Sequence, residues 1–401
     1  MAVYQWTVAL VCTLVATVVT SETSENEAAV VRGNNDFGMR WYQIQARNPG
    51  NIFLSPISAE FILGLLSMGA EGTTLSEMAQ VLNLPEDKDV IASGFQSLMQ
   101  TILKAGEENV TLDIANRIYI DSTFVISEGY KRIAEGPFLS DIISTDFTNN
   151  PDESRISINQ WVEEKTNDRI KDLLSSDAIR SDTRTVLVNA IYFKGNWTKK
   201  FNSKNTRSQK FYKSCNEVLT VEMMQTTDSY MMAEFADFQA IQMDYQGNEL
   251  HMLILLPRDC DDGSKLENLA QSVNLTNIYD SMRSTKVEVY IPKFRIEQTI
   301  EMTDDLEEMG MRQMFTDSAD FSGISTTEPV KVSTVIQKTF VEVSEEGTEA
   351  AAATAVVGLR ITSVGFERPT PVFRADHPFI CLVVEKSSQA VLFLGRYQGS
   401  A

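Results

Sequence analysis

Residues Phe379 to Val384 and Ala390 to Leu394 form two continuous apolar runs, separated by Lys386-Ser387-Ser388-Gln389. Neither run alternates with polar residues, so the pair reads as a hairpin buried on both faces. A sheet covered on both sides needs other elements above and below it, and only a large domain supplies them. The chain has the material: 401 residues, 43% of them hydrophobic, are ample for a deep core. Single cores usually stop growing near ~250–300 residues. No linker, repeat or low-complexity block divides this chain, however, so one domain over residues 22–401 is expected.

Both periodicities occur. Phe37, Trp41 and Ile44 recur at helical spacing before Asn48-Pro49-Gly50. Ser55-Pro56 is a cap and first-turn pair, followed by Ile62, Leu65 and Leu66 on one helix face. Ile158, Trp161, Val162, Ile170, Leu173 and Leu174 predict a further helix with Glu163, Glu164, Lys165 and Asp168 opposite. Thr185 to Phe193 and Val332 to Val343 read as strands, as does the alternation of Val287, Val289 and Ile291 with Glu288 and Tyr290. Helices come first and strands later, without regular βαβ alternation. The class is α+β.

The N-terminus is apolar from Trp6 to Val19 and then turns small and acidic at Thr20, Ser21, Glu22 and Glu25. It reads as a signal peptide over residues 1–21, which makes the chain secreted and extracellular. No other apolar stretch reaches the ~18 residues of a membrane span. The net charge of −20 argues against nucleic acid and anionic membranes as partners. A local basic run, Lys199, Lys200, Lys204, Arg207, Lys210 and Lys213, reads as a solvated face. Sequons at Asn109 and Asn274 fit N-glycosylation, and Asn196 is a third beside an apolar strand. Cys215, Cys260 and Cys381 are too widely spaced for a metal-ligand pattern; one bridge plus one thiol is open.

Catalytic motifs are missing: there is no G-x-S-x-G elbow, Walker loop, G-x-G-x-x-G or H-E-x-x-H. Of the two histidines, His251 sits in an apolar strand. His377 follows Asp376, a base and orienter by residue type, but adjacent residues seldom meet that geometry and packing is the expected role. No enzyme, metal or cofactor is implied.

One stretch is physically unusual. Glu345-Glu346-Gly347-Thr348-Glu349 leads into Ala350, Ala351, Ala352, Ala353 and Thr354, then Ala355-Val356-Val357-Gly358-Leu359-Arg360-Ile361-Thr362. An Ala run favours helix. This one follows a strand and runs into Thr354-Ala355-Val356-Val357, which prefers strand. As a strand it puts Thr348, Ala350, Ala352, Thr354 and Val356 on one small, uncharged face that a sheet interior could accept, with Glu349 on the other.

The glycine followed by the Ala/Thr run resembles the reactive-centre hinge of inhibitory serpins. Asn51 to Ser58, Leu187 to Trp197, Ile291 to Phe294, Ala319 to Gly323 and Ala375 to Phe379 resemble other stretches of that family, in the family's order and across nearly the whole chain. The resemblance implies a serpin fold: three β-sheets, about eight or nine helices and an exposed reactive-centre loop over about 345–372. It implies a monomeric suicide substrate that a serine protease cleaves and is then trapped by. By position, Ser55, Ser58, Asn189 and Gln337 match the polar shutter under the opening sheet, where the family's usual histidine is here Gln337. Trp197 matches the aromatic plug of the breach, and Lys293 with Glu345 the ion pair beside it.

The family's spacing from Gly347 lands on Ile361, with Arg360 one residue earlier. Arg360 suits a trypsin-like protease and is favoured, whereas Ile361 suits an elastase-like pocket. Phe366 and Arg368 are lesser candidates. Two rival readings keep the fold: a non-inhibitory carrier, storage protein or chaperone, and an inhibitor of cysteine proteases. Bulky, charged or proline residues on the inserting face would mark the first, and none occurs from Thr348 to Val356.

Overall fold

A computed structural model describes residues 25–106, 110–260, 264–325, 329–345 and 369–399. The first half carries helix α1 over 25–45, β1 (Ile52–Leu54), α2 (Pro56–Ser67), α3 (Gly72–Leu82), α4 (Lys88–Ala105) and β2 (Val110–Asp121). It continues through α5 (Glu128–Glu135), β3 (Asp141–Thr145), α6 (Pro151–Lys165) and β4 (Thr185–Gly195). Strands then dominate: β5 (Arg207–Ser214), β6 (Glu217–Glu234), β7 (Phe238–Asp244) and β8 (Leu250–Pro257). After α7 (Ser264–Ser272) and α8 (Leu275–Ser281) come β9 (Arg283–Pro292), β10 (Phe294–Glu301), α9 (Thr303–Met309) and β11 (Thr334–Val343). The chain closes with β12 (Val372–Arg374), β13 (Phe379–Glu385) and β14 (Val391–Tyr397).

These strands make two hydrogen-bonded sheets. One has five strands in the order β10-β11-β4-β2-β3. The other has nine, running β1-β14-β13-β8-β7-β6-β9-β12 with β5 also on β6. The 18-residue β6 explains the merger. Its Met223–Met232 edge pairs with β9, while its opposite edge carries β5 along the first half and β7 at the end. The three expected sheets are therefore present with two of them continuous through β6. The β13–β14 hairpin is buried along both strands, as its unbroken apolar pattern requires. Its turn is held by the Glu385 carboxylate, which accepts the backbone N–H groups of Ser387 at 2.9 Å and Ser388 at 2.6 Å.

Helix α2 lies between the sheets, packed on β14 of one and on β4 and β2 of the other. All twelve of its residues are buried. Ser55 caps it by accepting the Ser58 N–H at 3.4 Å, and Pro56 occupies the first turn, where a missing N–H is harmless. Burial extends to Glu60, whose carboxyl has no hydrogen-bond partner among the described residues and is held well above the usual carboxylate range by desolvation.

The five-stranded sheet is covered on both faces. Leu187, Asn189, Ile191 and Phe193 of β4 face the core around α2, whereas Val186, Val188, Ala190 and Tyr192 join a second core under α6. That second core also takes Ile158, Val162, Ile170, Leu173 and Leu174. Helix α6 nevertheless stops at Lys165, short of the span its apolar spacing predicts. Asn167, Asp168 and Asp172 adopt left-handed backbone with φ of 49°, 60° and 48°, a conformation that Asn and Asp tolerate better than most residues. The apolar residues beyond therefore reach the same core from an irregular segment.

Candidate functional site: the parallel seam and its two polar stations

Strands β11 and β4 are parallel neighbours, in register from Thr334 opposite Val186 to Val341 opposite Phe193. Of the other three pairs in this sheet, β10–β11 and β4–β2 are antiparallel and the edge pair β2–β3 is parallel. The register sets three amides side by side: Gln337 on β11 lies opposite Asn189 on β4, which lies opposite Asn116 on β2.

The start of α2 closes this row from below. Gln337 Nε2 donates to Asn189 Oδ1 at 2.5 Å and to the Ser55 carbonyl at 2.9 Å, while its Oε1 accepts the Ser55 N–H at 2.9 Å. Asn189 Nδ2 donates to Ser58 Oγ and to Asn116 Oδ1. Ser58 Oγ donates to Asn116 Oδ1 at 3.0 Å, and Ser55 Oγ to the Leu392 carbonyl at 2.8 Å. Gln337, Asn189 and Ser55 are fully buried. Such a network holds the seam shut only while every member is satisfied, because an orphaned buried amide costs about 1–3 kcal/mol. None of these groups titrates, so the lock has no proton switch of its own.

The same register builds the second station at the C-terminal end of the seam. Because the strands run together, the residues after Gly195 on β4 emerge beside those after Val343 on β11. Phe294 of β10 opposite Val343 brings the preceding Lys293 alongside. Trp197, 2% exposed, donates its Nε1–H to the Ser344 carbonyl at 2.9 Å and stacks on Tyr245 with ring centroids 4.5 Å apart. Gly195 is required here, since a Cβ would sit 2.5 Å from the Tyr245 ring. Glu345 is gripped from three sides: Lys293 Nζ lies 3.0 Å from Oε2, Thr206 Oγ1 donates to Oε1 at 2.9 Å, and its carbonyl accepts the Phe201 N–H at 2.9 Å. Burial pushes the Glu345 carboxyl up. The hydrogen bonds from Lys293, its own backbone and Thr206 outweigh that, and it lies below the usual carboxylate range.

All seven residues assigned to shutter and breach thus fall into these two stations. Asn116, Tyr245 and Thr206 complete them and were not singled out from the sequence. The hinge residues Gly347 to Thr354, the bait candidates Arg360, Ile361, Phe366 and Arg368, the sequon Asn109 and the apolar residues 1–21 lie outside the described residues. Asn274 is exposed; its side chain caps α8 by accepting the Asn277 N–H at 3.0 Å. In the basic run, Lys199 pairs with Asp228 at 3.0 Å and Lys213 with Glu217 at 2.8 Å.

Both histidines are engaged structurally. His377 does meet Asp376, Nδ1 to Oδ1 at 3.0 Å, but its Nε2 is held by the Pro257 carbonyl at 2.8 Å, leaving no nitrogen for a substrate. His251 Nε2 lies 2.8 Å from the Tyr279 hydroxyl, and burial pushes the ring's pKa down to about 4.

Comparison with known proteins decides what this seam belongs to. The Serpin (serine protease inhibitor) family profile matches residues 32–399. The chain belongs to the serpin family. An uncharacterized serpin-like protein of Thermococcus kodakarensis is 38% identical over 370 residues, 92% of this chain and 85% of that protein. A leukocyte elastase inhibitor of Xenopus laevis is 36% identical over 355 residues, 87% of this chain and 93% of that protein. Among solved structures, Serpin48 of the insect Tenebrio molitor superposes with a TM-score of 0.80 at 28% identity, covering 95% of this chain and 99% of that one. Serpins are in general protease inhibitors rather than enzymes.

The ion pair at the seam's end gives this serpin a pH signature. A carboxyl whose folded pKa is depressed stabilises the fold above its unfolded value, ~4.3 for Glu, and loses that contribution as pH falls through the lower folded value. Glu345→Gln should therefore melt at a lower temperature than the unmodified chain at pH 7. The gap should stay constant down to about pH 5 and close below about pH 4. Melting curves from pH 7 to 3 measure it; a gap that is flat to pH 3 would rule out a stabilising role for the charged Glu345.

Proposed function

We propose that this serpin is a secreted inhibitor of serine proteases, trypsin-like ones above others, that works as a suicide substrate. One observation carries the reading. Strand β11 ends at Val343 and leads through Ser344, Glu345 and Glu346 into the small-residue segment Gly347–Thr354, and β11 itself is paired in parallel with β4. A chain that turns back after Glu345 runs opposite to both strands. Inserted between them, it exchanges one parallel ladder for two antiparallel ones. Serpin loop insertion is an established instance of such strand addition.

The chemistry before insertion belongs to the protease. Its serine attacks the carbonyl of the bait residue, the peptide bond breaks, and the new N-terminus departs while the bait acyl group stays on the enzyme as an ester. The severed hinge is then free to enter the seam at Trp197 and the Lys293–Glu345 pair. If it enters before water cleaves the ester, the protease is carried along and its active site is distorted. Thr348, Ala350, Ala352, Thr354 and Val356 supply the small, uncharged inner face. Asn274, exposed on α8, supports the glycoprotein reading, and the apolar start of the chain supports secretion.

Incubation with trypsin tests this proposal, with an SDS-resistant complex as the expected product. Arg360→Ala should slow trypsin inhibition by about 100-fold or more, as expected when the group filling an acidic specificity pocket is removed. The fragment released from the unmodified chain should begin at Ile361. A fragment beginning at Thr362 moves the bait to Ile361 and the target to an elastase-like protease. Clean cleavage without any complex supports the non-inhibitory reading instead.

A further inference from the structure

We propose that Cys215 and Cys260 form a disulfide that ties the β5–β6 hairpin to the connection between β8 and α7. The two residues stand 45 positions apart, and the sheet brings them together. Cys215 lies in the turn between β5 and β6, exposed; Cys260 follows the end of β8, half-buried. The Cys215 thiol donates to the carbonyl oxygen of Cys260 at 3.1 Å. In return, the Cys260 sulfur lies 3.7 Å from the carbonyl of Tyr212, three residues before Cys215 on the same hairpin. Each thiol is aimed at the backbone that carries the other.

A carbonyl oxygen lies ~2.4 Å from its own Cα, so the Cys215 sulfur is within about 5–6 Å of the Cys260 Cα. A disulfide needs the two Cα atoms about 4.4–6.8 Å apart, so closing it takes a rotamer change at both cysteines and an approach of the exposed β5–β6 turn. The third described cysteine behaves differently. Cys381 is buried in β13, and desolvation pushes its thiol up to about 12, which keeps it from forming the reactive thiolate.

The oxidation balances with oxidised glutathione as the oxidant. The Cys215 thiolate attacks one glutathione sulfur and releases the other half as a thiolate. The Cys260 thiolate then displaces the second glutathione, forming the S–S bond. The two protein thiol protons pass to the two glutathione thiolates. The bond would clamp the hairpin whose Tyr212 N–H donates to the Asp376 carbonyl at 2.7 Å, two residues beyond β12. It does not depend on the inhibitory reading, and it persists in an oxidising compartment.

Trypsin separates the partners, cutting after Lys213, Arg258 and Lys265, so Cys215 leaves on peptide 214–258 and Cys260 on 259–265. The full chain is equilibrated with oxidised glutathione, its remaining thiols are alkylated, and it is digested unreduced. The expected result is a species with the summed mass of both peptides less two hydrogens, which disappears on reduction. It should be absent from Cys215→Ser and from Cys260→Ser. The oxidised chain should also melt a few degrees above the reduced one, a difference both variants lose. Alkylation at both cysteines, a glutathione adduct resting on Cys215, or a dimer linked through Cys215 would each overturn the proposal.

Discussion

Thr348→Arg should convert this serpin from a trap into a substrate, raising the number of inhibitor molecules consumed per protease captured by about tenfold or more. The substitution leaves Arg360 and its surroundings untouched, so the protease still binds and acylates. What changes is the first hinge side chain to enter the seam. The entry is built from Trp197 stacked on Tyr245, with Phe193 behind them. Among the described residues, the Glu345 carboxylate at this end of the seam is already held by Lys293 and Thr206. A guanidinium arriving there meets a carboxylate already engaged, and burying it unpaired costs several kcal/mol even after relaxation. Trapping is a race between insertion and hydrolysis of the ester, in which each ~1.4 kcal/mol on the insertion barrier is a factor of ten in rate. Titration of active protease against inhibitor, with cleaved chain followed on a gel, reads the outcome. Thr348→Ala serves as control and should keep the original stoichiometry. An unchanged stoichiometry for Thr348→Arg would refute insertion through this seam.

Much of the scaffold behind that argument is legible in the sequence, because burial on two faces leaves an unbroken apolar record. Thr185 to Phe193 reads directly as a strand, and the β13–β14 hairpin as one covered on both faces. Ser55-Pro56 reads as a helix start for the same local reason that it is one. Elsewhere the record is ambiguous. Ile170, Leu173 and Leu174 keep helical spacing although the helix has ended, since a core accepts apolar side chains from irregular backbone as readily as from a helix. The break falls at Asn167-Asp168, whose side-chain types tolerate left-handed backbone. The functional stations depend on register, which no local window records. Lys293 and Glu345 are 52 residues apart and meet because β10 pairs with β11. Their assignment came from resemblance to a family rather than from spacing. Asn116 escaped notice altogether, though an amide between Ala115 and Arg117 on a strand pairing with β4 is what an amide row requires. The fusion of two sheets through β6 was likewise beyond reach, because strand length does not reveal which half of each edge is paired.

Cleavage of the reactive loop should raise the melting temperature, on the order of 10 °C, and this outcome separates an inserting serpin from one that is merely cut. The intact chain holds β11 and β4 in a parallel ladder spanning Thr334–Val341 and Val186–Phe193. Insertion dismantles that ladder and the amide contact of Gln337 with Asn189 across it, so the intact state is held by interactions that must first be lost. In exchange, the segment from Gly347 to about Arg360 gains neighbours on both edges, and every backbone group along it finds a partner. A strand with two antiparallel edges forms about twice the bonds that the seam surrenders, each contributing about 1 kcal/mol net. The ordering of roughly a dozen residues offsets part of this, which is why the shift is set at ten degrees rather than several tens. On the proposed mechanism the barrier and the gain come from the same place: the polar row across the seam would let a less stable form persist until a protease cuts it. A trypsin-nicked sample and an intact one, melted side by side at pH 7, test the point. If the nicked chain melts at the same temperature or lower, the loop does not insert, and the chain shares the serpin fold without using its trap.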